Sequence, residues 1–260
     1  MEHIETELIV RGTMLRMFRG GEGDPVLFLH GAAGLSVWTP FFQAISQKYD
    51  LIVPEHPGFG KSDDPRFLTS IADLSMFYLD FIEQIGLKKF HLIANSLGGW
   101  IASELAIRDC SRLKSLTLIA PAGLCADDIT REDTFQWTPE QQVRKLFVNQ
   151  AIADRMLSQM PTPEQQAIQA KNQATTAKLG KATNLCDPNL EKWLHRIKVP
   201  SLIIWGDSDN VMPAAYAQRW SSSLFDARVS VISECGHLPH AEKADIVAEQ
   251  VEKFLKGVPG

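Results

Sequence analysis

The chain is short of several things that would each point to a particular biology. It has four cysteines in 260 residues, Cys110, Cys125, Cys186 and Cys235, with no C-x-x-C pair and no metal-ligand spacing among them. No metal site is indicated, and the four read as reduced thiols of a cytoplasmic protein. No apolar run approaches the roughly 18–20 residues of a membrane span. The opening residues, MEHIETELIV, are acidic and lack a basic stretch before an apolar core, so no secretory signal is expected. Positive charge is not in excess either. A formal charge of −5 gives no reason to expect nucleic acid or an anionic membrane as a partner. There is no internal repeat and no low-complexity tract. What remains is an ordinary composition, 45% hydrophobic and 22% charged, at a length suited to one α/β domain with an insertion.

One stretch organises the rest. Phe90 to Ala94 is short and apolar, as a buried parallel strand should be. After Ser96 the apolar residues Leu97, Trp100, Ile101 and Leu105 recur at helical spacing. Asn95-Ser96 therefore falls on a tight strand-to-helix turn, with Gly98 and Gly99 just inside the helix. A glycine in a helix costs about 1 kcal/mol against alanine, so two in succession suggest that another backbone comes close. The pattern is a nucleophile elbow, G-x-S-x-G, with Ala94 in the first glycine position. The bland alternative is a serine that merely caps a helix.

Around this stretch, strands and helices alternate. Glu7–Val10 and Met14–Phe18 form an opening hairpin, and Val26–Leu29 runs into the small-residue loop His30-Gly31-Ala32-Ala33-Gly34. Residues 37–49 read as an amphipathic helix with Pro40 in its first turn, and Leu51–Val53 as a strand ending in PEHPGFGKS. Ser70 is placed to cap a helix that Gly86 stops, and Leu113–Ile119 is a further buried strand. The rhythm then breaks: residues 125–197 offer helical patches at 139–148, 151–160, 163–179 and 188–194 and no convincing strand. The sheet resumes at Val199–Trp205, with helix at 213–224, strand at 227–232 and helix at 241–255. This is a mostly parallel sheet covered on both faces. The core comprises residues 1–123 and 198–260, and residues 124–197 form a helical cap inserted in it.

In such a sheet the loops after the strands share one edge. Ser96, the GDSDNVMP loop from Gly206 and the ECGHLPHAE loop from Glu234 each follow their own strand. A serine, an acid and a histidine can therefore meet, in the order Ser…Asp…His. HGAAG, HPGFGKS, ANSLGG, GDSDNVMP and CGHLPHAE, occurring in that order, resemble the α/β-hydrolase superfamily across essentially the whole core, and within it the capped serine hydrolases. The resemblance implies Ser96 as nucleophile, His237 as base and Asp209 as acid, with Asp207 a decoy and His240 a rival. It implies oxyanion donors at the backbone N–H of Leu97 and of Ala32, Ala33 ranking behind. His30 would brace its loop, His56 and His91 would be satisfied internally, and Cys235 would be a packing residue. Neither metal nor organic cofactor is required, and the partner is a small-molecule substrate. Nothing in the sequence speaks to oligomeric state.

The expected activity is hydrolysis of a carboxylic ester of a small to medium substrate through an acyl-enzyme. The serine argues against the dehalogenase and epoxide hydrolase branches, which the resemblance associates with an aspartate nucleophile. C–C bond hydrolysis, as in meta-cleavage-product hydrolases, is the runner-up. Asn95 and APAGL at 120–124 are reminiscent of that group, but Leu238 stands where it typically carries Trp, and no cap arginine (Arg131, Arg144 and Arg155 are candidates) aligns with its substrate-binding one. A ligand-sensing protein with slow hydrolysis is the third reading. Asn95, Trp100, Trp137 and Leu238 are the expected substrate contacts, with Phe135, Phe147, Met156 and Met160 as further pocket wall.

Overall fold

A computed structural model describes residues 3–258. In chain order the elements are β1 (His3–Val10), β2 (Thr13–Gly20), β3 (Pro25–Leu29), α1 (Pro40–Ile45), β4 (Asp50–Pro54), α2 (Ile71–Gln84), β5 (Phe90–Asn95), α3 (Leu97–Arg108), β6 (Leu113–Ile119) and β7 (Gly123–Leu124). There follow α4 (Pro139–Arg144), α5 (Gln150–Ser158), α6 (Pro163–Gly180), β8 (Cys186–Asp187), α7 (Leu190–Trp193), β9 (Ser201–Gly206), α8 (Ala215–Ser223), β10 (Ala227–Ile232), α9 (Pro239–Glu242) and α10 (Ala244–Lys256). Eight strands make one sheet in the order β1-β2-β4-β3-β5-β6-β9-β10. β1–β2 and β2–β4 pair antiparallel, and every other pair in that sheet is parallel.

Strand alternation divides the core. Leu27, Leu29, Leu92, Ala94, Leu116, Leu118 and Ile203 pack with Phe77, Phe81, Trp100, Leu105 and Trp220 of α2, α3 and α8. Val26, Phe28, Ile93, Ile119, Leu202 and Ile204 pack with Phe41 and Phe42 of α1 and Val247, Val251 and Phe254 of α10. Since β5 is buried along its whole length, it reads as a continuous apolar run rather than an alternating one. α2 begins with a full capping box in which Ser70 accepts from the Asp73 N–H and Asp73 accepts from the Ser70 N–H. The helix foreseen over 37–49 is confined to Pro40–Ile45, because Thr39 caps it and Pro40 sits at its first position. The last helix is split at Lys243, which adopts φ −131° and ψ 50°.

Two expectations for residues 125–197 are corrected. The segment does hold a strand: β8 pairs parallel with β7, Gly123 opposite Cys186 and Leu124 opposite Asp187, too short for any periodicity to reveal. And Cys125 is bonded to Cys186, so these two are not free thiols; Cys110 and Cys235 remain free. The β7–β8 pairing brings the two residues together across a separation of 61. The thiol argument for a cytoplasmic protein fails for this pair. No helix among the described residues is long and apolar enough to cross a membrane.

The segment docks on the sheet's loop edge largely through polar groups. Asn172 of α6 donates to the Ala33 carbonyl at 3.0 Å and accepts from the Gly60 N–H at 2.8 Å. Thr175 donates to the Gly58 carbonyl at 2.6 Å, Lys171 to the Gly60 carbonyl at 3.0 Å, and Lys178 pairs with Asp64 at 2.7 Å. Residues 171, 172, 175 and 178 lie along one stripe of the helix.

The disulfide closes a loop of about 60 residues, for which chain entropy gives roughly 4 kcal/mol and typical measurements 2–4 kcal/mol. Replacing Cys125 and Cys186 together by alanine is therefore expected to lower the urea-denaturation free energy by about 2–4 kcal/mol. The wild type in reductant should match the double variant, whose own midpoint should not respond to reductant.

Candidate active site

Ser96 directly follows β5 with φ 50° and ψ −118°, a backbone conformation costly for a side-chain-bearing residue. Its N–H donates to the Ile119 carbonyl at 3.0 Å, and its own carbonyl accepts from the Ala122 and Gly99 N–H groups at 3.0 and 2.9 Å. The two glycines have the reason anticipated for them. A Cβ on Gly98 would lie 2.3 Å from the Leu29 carbonyl oxygen and 2.5 Å from that of His30; one on Gly99 would lie 2.6 Å from Pro121 Cβ. The end of β3 thus presses against the first turn of α3. Ala94, fully buried, fits where the pattern usually has glycine.

Although Ser96 stands at the N-cap of α3, its hydroxyl makes no capping hydrogen bond. It donates instead to Nε2 of His237 at 2.9 Å, and Nδ1–H of His237 donates to Oδ2 of Asp209 at 2.8 Å. That separates an elbow from a mere helix cap. All three residues are buried. The other oxygen of Asp209 accepts from the N–H groups of Val211 and Met212 at 2.8 and 2.9 Å, which locks the carboxylate toward the imidazole. Asp207 is elsewhere: exposed, it accepts from Ser208 Oγ and, at 3.3 Å, from the Cys235 N–H. These bonds hold its carboxyl below the usual range, the Ser208 hydroxyl first.

Beyond the Ser96–His237–Asp209 chain stand four histidines weighed from sequence, His30, His56, His91 and His240. His30 donates Nδ1–H to the Gly31 carbonyl at 2.7 Å and accepts the His56 N–H on Nε2 at 2.9 Å. His56 donates Nε2–H to the His30 carbonyl at 2.8 Å and accepts from Tyr78. Burial pushes His30 down to about 4 and His56 well down. His91 bonds Ser115 and is also pushed down to about 4 by burial. His240 lies against Phe28 and Phe41, its Nδ1 without a partner among the described residues, and burial lowers it to about 4. The Cys235 thiol is fully buried and pushed up to about 12, again by burial: it packs.

Above the serine, the Gly31–Gly34 turn closes with a 3.1 Å bond from the Gly34 N–H to the Gly31 carbonyl. Among the described residues, neither the Leu97 nor the Ala32 N–H has an acceptor. Leu97 directly follows the serine, and Ala32 follows Gly31, where a Cβ would lie 3.2 Å from Ser96 Cβ. Arg16, paired with the buried Glu55 at 2.6 Å, also donates to the Leu35 carbonyl and so holds this loop from behind. Arg16 and Glu55 were not singled out from sequence; a charged residue inside an otherwise apolar strand was the available signal.

The expected pocket wall needs revision. Asn95 is buried, donates to the Ile119 carbonyl at 3.1 Å, and its Oδ1 lies 2.7 Å from where a Cβ on Gly31 would sit, so it is a spacer beneath the loop. Trp100 is buried against Gly123. Trp137 is half-buried, bonded to Glu132 at 2.6 Å with Lys145 over its ring. Leu238, half-buried, directly follows His237, and Phe147 is buried. Met156, on the outward side of α5, and Met160, just beyond that helix, face solvent at 48% and 94% exposed. Among the described residues no cluster of three or more His, Cys, Asp or Glu is placed to hold a metal.

The sequence profile of the alpha/beta hydrolase family matches residues 26–250. The chain belongs to that family. The hydrolase is 28% identical over 264 residues to the 2-hydroxy-6-oxo-6-phenylhexa-2,4-dienoate hydrolase of Comamonas testosteroni, covering 91% of this chain and 89% of that one. Among solved structures it is similar to a meta-cleavage product hydrolase from Pseudomonas fluorescens IP01, with TM-score 0.83 at 21% identity over 96% of this chain and 97% of that one. It is also similar to a bacterial membrane phospholipase A, with TM-score 0.78 at 26% identity over 98% and 86%.

The four lowered histidines set an acid limit on stability. Unfolded, each titrates near 6.5; folded, His30, His91 and His240 do so at about 4. Between those values unfolding takes up protons, so stability is complete above about pH 6.5 and falls toward pH 4. Urea titrations should show at least about 2 kcal/mol less stability at pH 5 than at pH 7. The acid assignment has its own check. Asp209→Asn should lower kcat by about 10⁴-fold through the wrong imidazole tautomer, while Asp207→Asn, which keeps an acceptor for the Cys235 N–H, should stay within a fewfold of wild type in the same hydrolysis assay.

Proposed function

We propose that the hydrolase is a serine enzyme that cleaves a carboxylic ester of a small to medium substrate through an acyl-enzyme. The observation that carries this reading is the 2.9 Å bond from a strained, uncapping Ser96 to His237, itself anchored on Asp209. As Ser96 Oγ attacks the ester carbonyl, Nε2 of His237 takes the hydroxyl proton. The Asp209 carboxylate stabilises the resulting imidazolium and keeps Nε2 facing the serine. The N–H groups of Leu97 and Ala32 receive the oxyanion, each donor of this kind being worth roughly 2.7–4 kcal/mol of barrier. His237 then protonates the leaving alcohol, and a water activated by the same imidazole releases the acid. Residues 124–197 act as the cap that selects the substrate, since residues 146–149 sit against the His237 loop and α6 against the loops at Ala33 and Gly58–Gly60.

A second reading has comparable support. A dienoate hydrolase is among the relatives, so the same three residues could serve C–C cleavage beside a ketone. That reading needs a cation for the dienoate carboxylate. Arg144 is tied to Glu140 and Asp154, and Arg155 is exposed. Arg131 alone of the three is half-buried without a carboxylate partner among the described residues, resting on Met212 Sδ and the Asn184 carbonyl.

The test is a panel of p-nitrophenyl esters, amides and 2-hydroxy-6-oxo-dienoates with wild type and Ser96→Ala. Saturable ester turnover that falls at least about 10³-fold in Ser96→Ala is expected. Faster turnover of the dienoate, lost in Arg131→Gln, would install the second reading instead. Stoichiometric binding with a single slow turnover would make the protein a sensor. Turnover untouched by Ser96→Ala would overturn all of them.

A further inference from the structure

The loop that carries His237 is held from two sides, and one side belongs to the inserted segment. The His237 N–H donates to the Leu146 carbonyl at 2.9 Å. Gly236 lies so close beneath it that a Cβ would come within 2.5 Å of that same oxygen and 3.1 Å of Phe147 Cα. One carboxylate then spans the seam. Oε2 of Glu242 accepts from the Gly236 N–H at 2.7 Å, and Oε1 accepts from the Asn149 N–H at 2.6 Å. Asn149 is the N-cap of α5, its side chain accepting from the Ala151 N–H at 3.1 Å. Glu242 is half-buried and no cation pairs with it among the described residues. Its charge is therefore taken up by two backbone amides, hydrogen bonds of the strong, charge-assisted kind.

Resting on the serine-hydrolase reading above, we propose that Glu242 is a positioning residue that couples docking of the 124–197 segment to alignment of His237. With the segment seated, residues 146–149 and the carboxylate clamp the backbone on either side of Gly236, and Nε2 stays on Ser96. With the segment displaced, the His237 N–H loses its acceptor and Glu242 holds one amide instead of two. The base is then free to drift from the 2.9 Å geometry, and misplacement of about 1 Å can cost on the order of 10²-fold in rate. The segment would thus assemble the catalytic base as well as shape the pocket.

The test compares wild type with Glu242→Gln, which keeps the shape but turns one acceptor into a donor. A second variant, Asn149→Pro, removes the same N–H from the other side at φ −72°, which proline tolerates. Either should lower kcat for an activated ester by about 10- to 100-fold while KM moves less than about threefold, and should slow fluorophosphonate labelling of Ser96 by the same factor. The double variant should be no worse than either single one. Amide hydrogen exchange should rise together at residues 146–151 and 236–238. A folded Glu242→Gln with kcat within about twofold of wild type, effects that multiply in the double variant, or exchange that rises on one side only would overturn the coupling. If Ser96→Ala shows the wild type to lack serine-dependent turnover, the hydrolase reading falls, and hydrogen exchange in the two variants still decides whether the two segments are coupled.

Discussion

The structure depends on a single strained residue being worth its strain. Ser96 sits at φ 50°, in a conformation that costs a non-glycine residue about 1–3 kcal/mol. What over-determines it is the backbone on every side. Ile119 receives its N–H, Ala122 and Gly99 donate to its carbonyl, and the carbonyls of Leu29 and His30 press on the hydrogen of Gly98. The order of the central strands follows from the same requirement. β5 must lie between β3 and β6, because the end of the first and the turn after the second are the two surfaces between which the serine is wedged.

Buried polar groups behind the site hold the loops that meet there. Glu55 accepts from Arg16 and from the N–H groups of Lys61 and Ser62, and a Cβ on Gly60 would fall inside its carboxylate. Buried ion pairs of this kind contribute little net stability, yet breaking one is costly because it strands a charge. Their evident use here is geometric. Arg16 reaches across to the Leu35 carbonyl, and His30 and His56 exchange hydrogen bonds through their rings and backbones. The loop after β3 is consequently pinned at both its ends.

Much of this was legible in the sequence because the signals were local. Buried strands announce themselves as short apolar runs, Ser70 stood out as a helix cap, and the resemblance of the GDSDNVMP loop pointed to Asp209 rather than Asp207. Where the signal was long-range, the reading failed. Cys125 and Cys186 have no shared motif, and only the β7–β8 pairing, two residues long, puts them side by side. The seating of α6 was equally hidden, since the face it buries carries Asn172, Thr175 and Thr176 rather than an apolar stripe. Asn95 looked like a contact residue and proved to be a prop, a distinction that lies in which carbonyl its amide finds.

The bond between Cys125 and Cys186 has a topological meaning beyond its energy. It joins the chain where it leaves the core to the chain where it comes back, so everything between is a side loop on a covalently continuous frame. A protease cut anywhere from residue 126 to 185 would leave one molecule, not two halves. By the same token the intervening helices can be lengthened, shortened or exchanged without altering the distance that the sheet must bridge between β6 and β9. Evolution or a protein engineer could rewrite the roof of this molecule while the walls keep their footing.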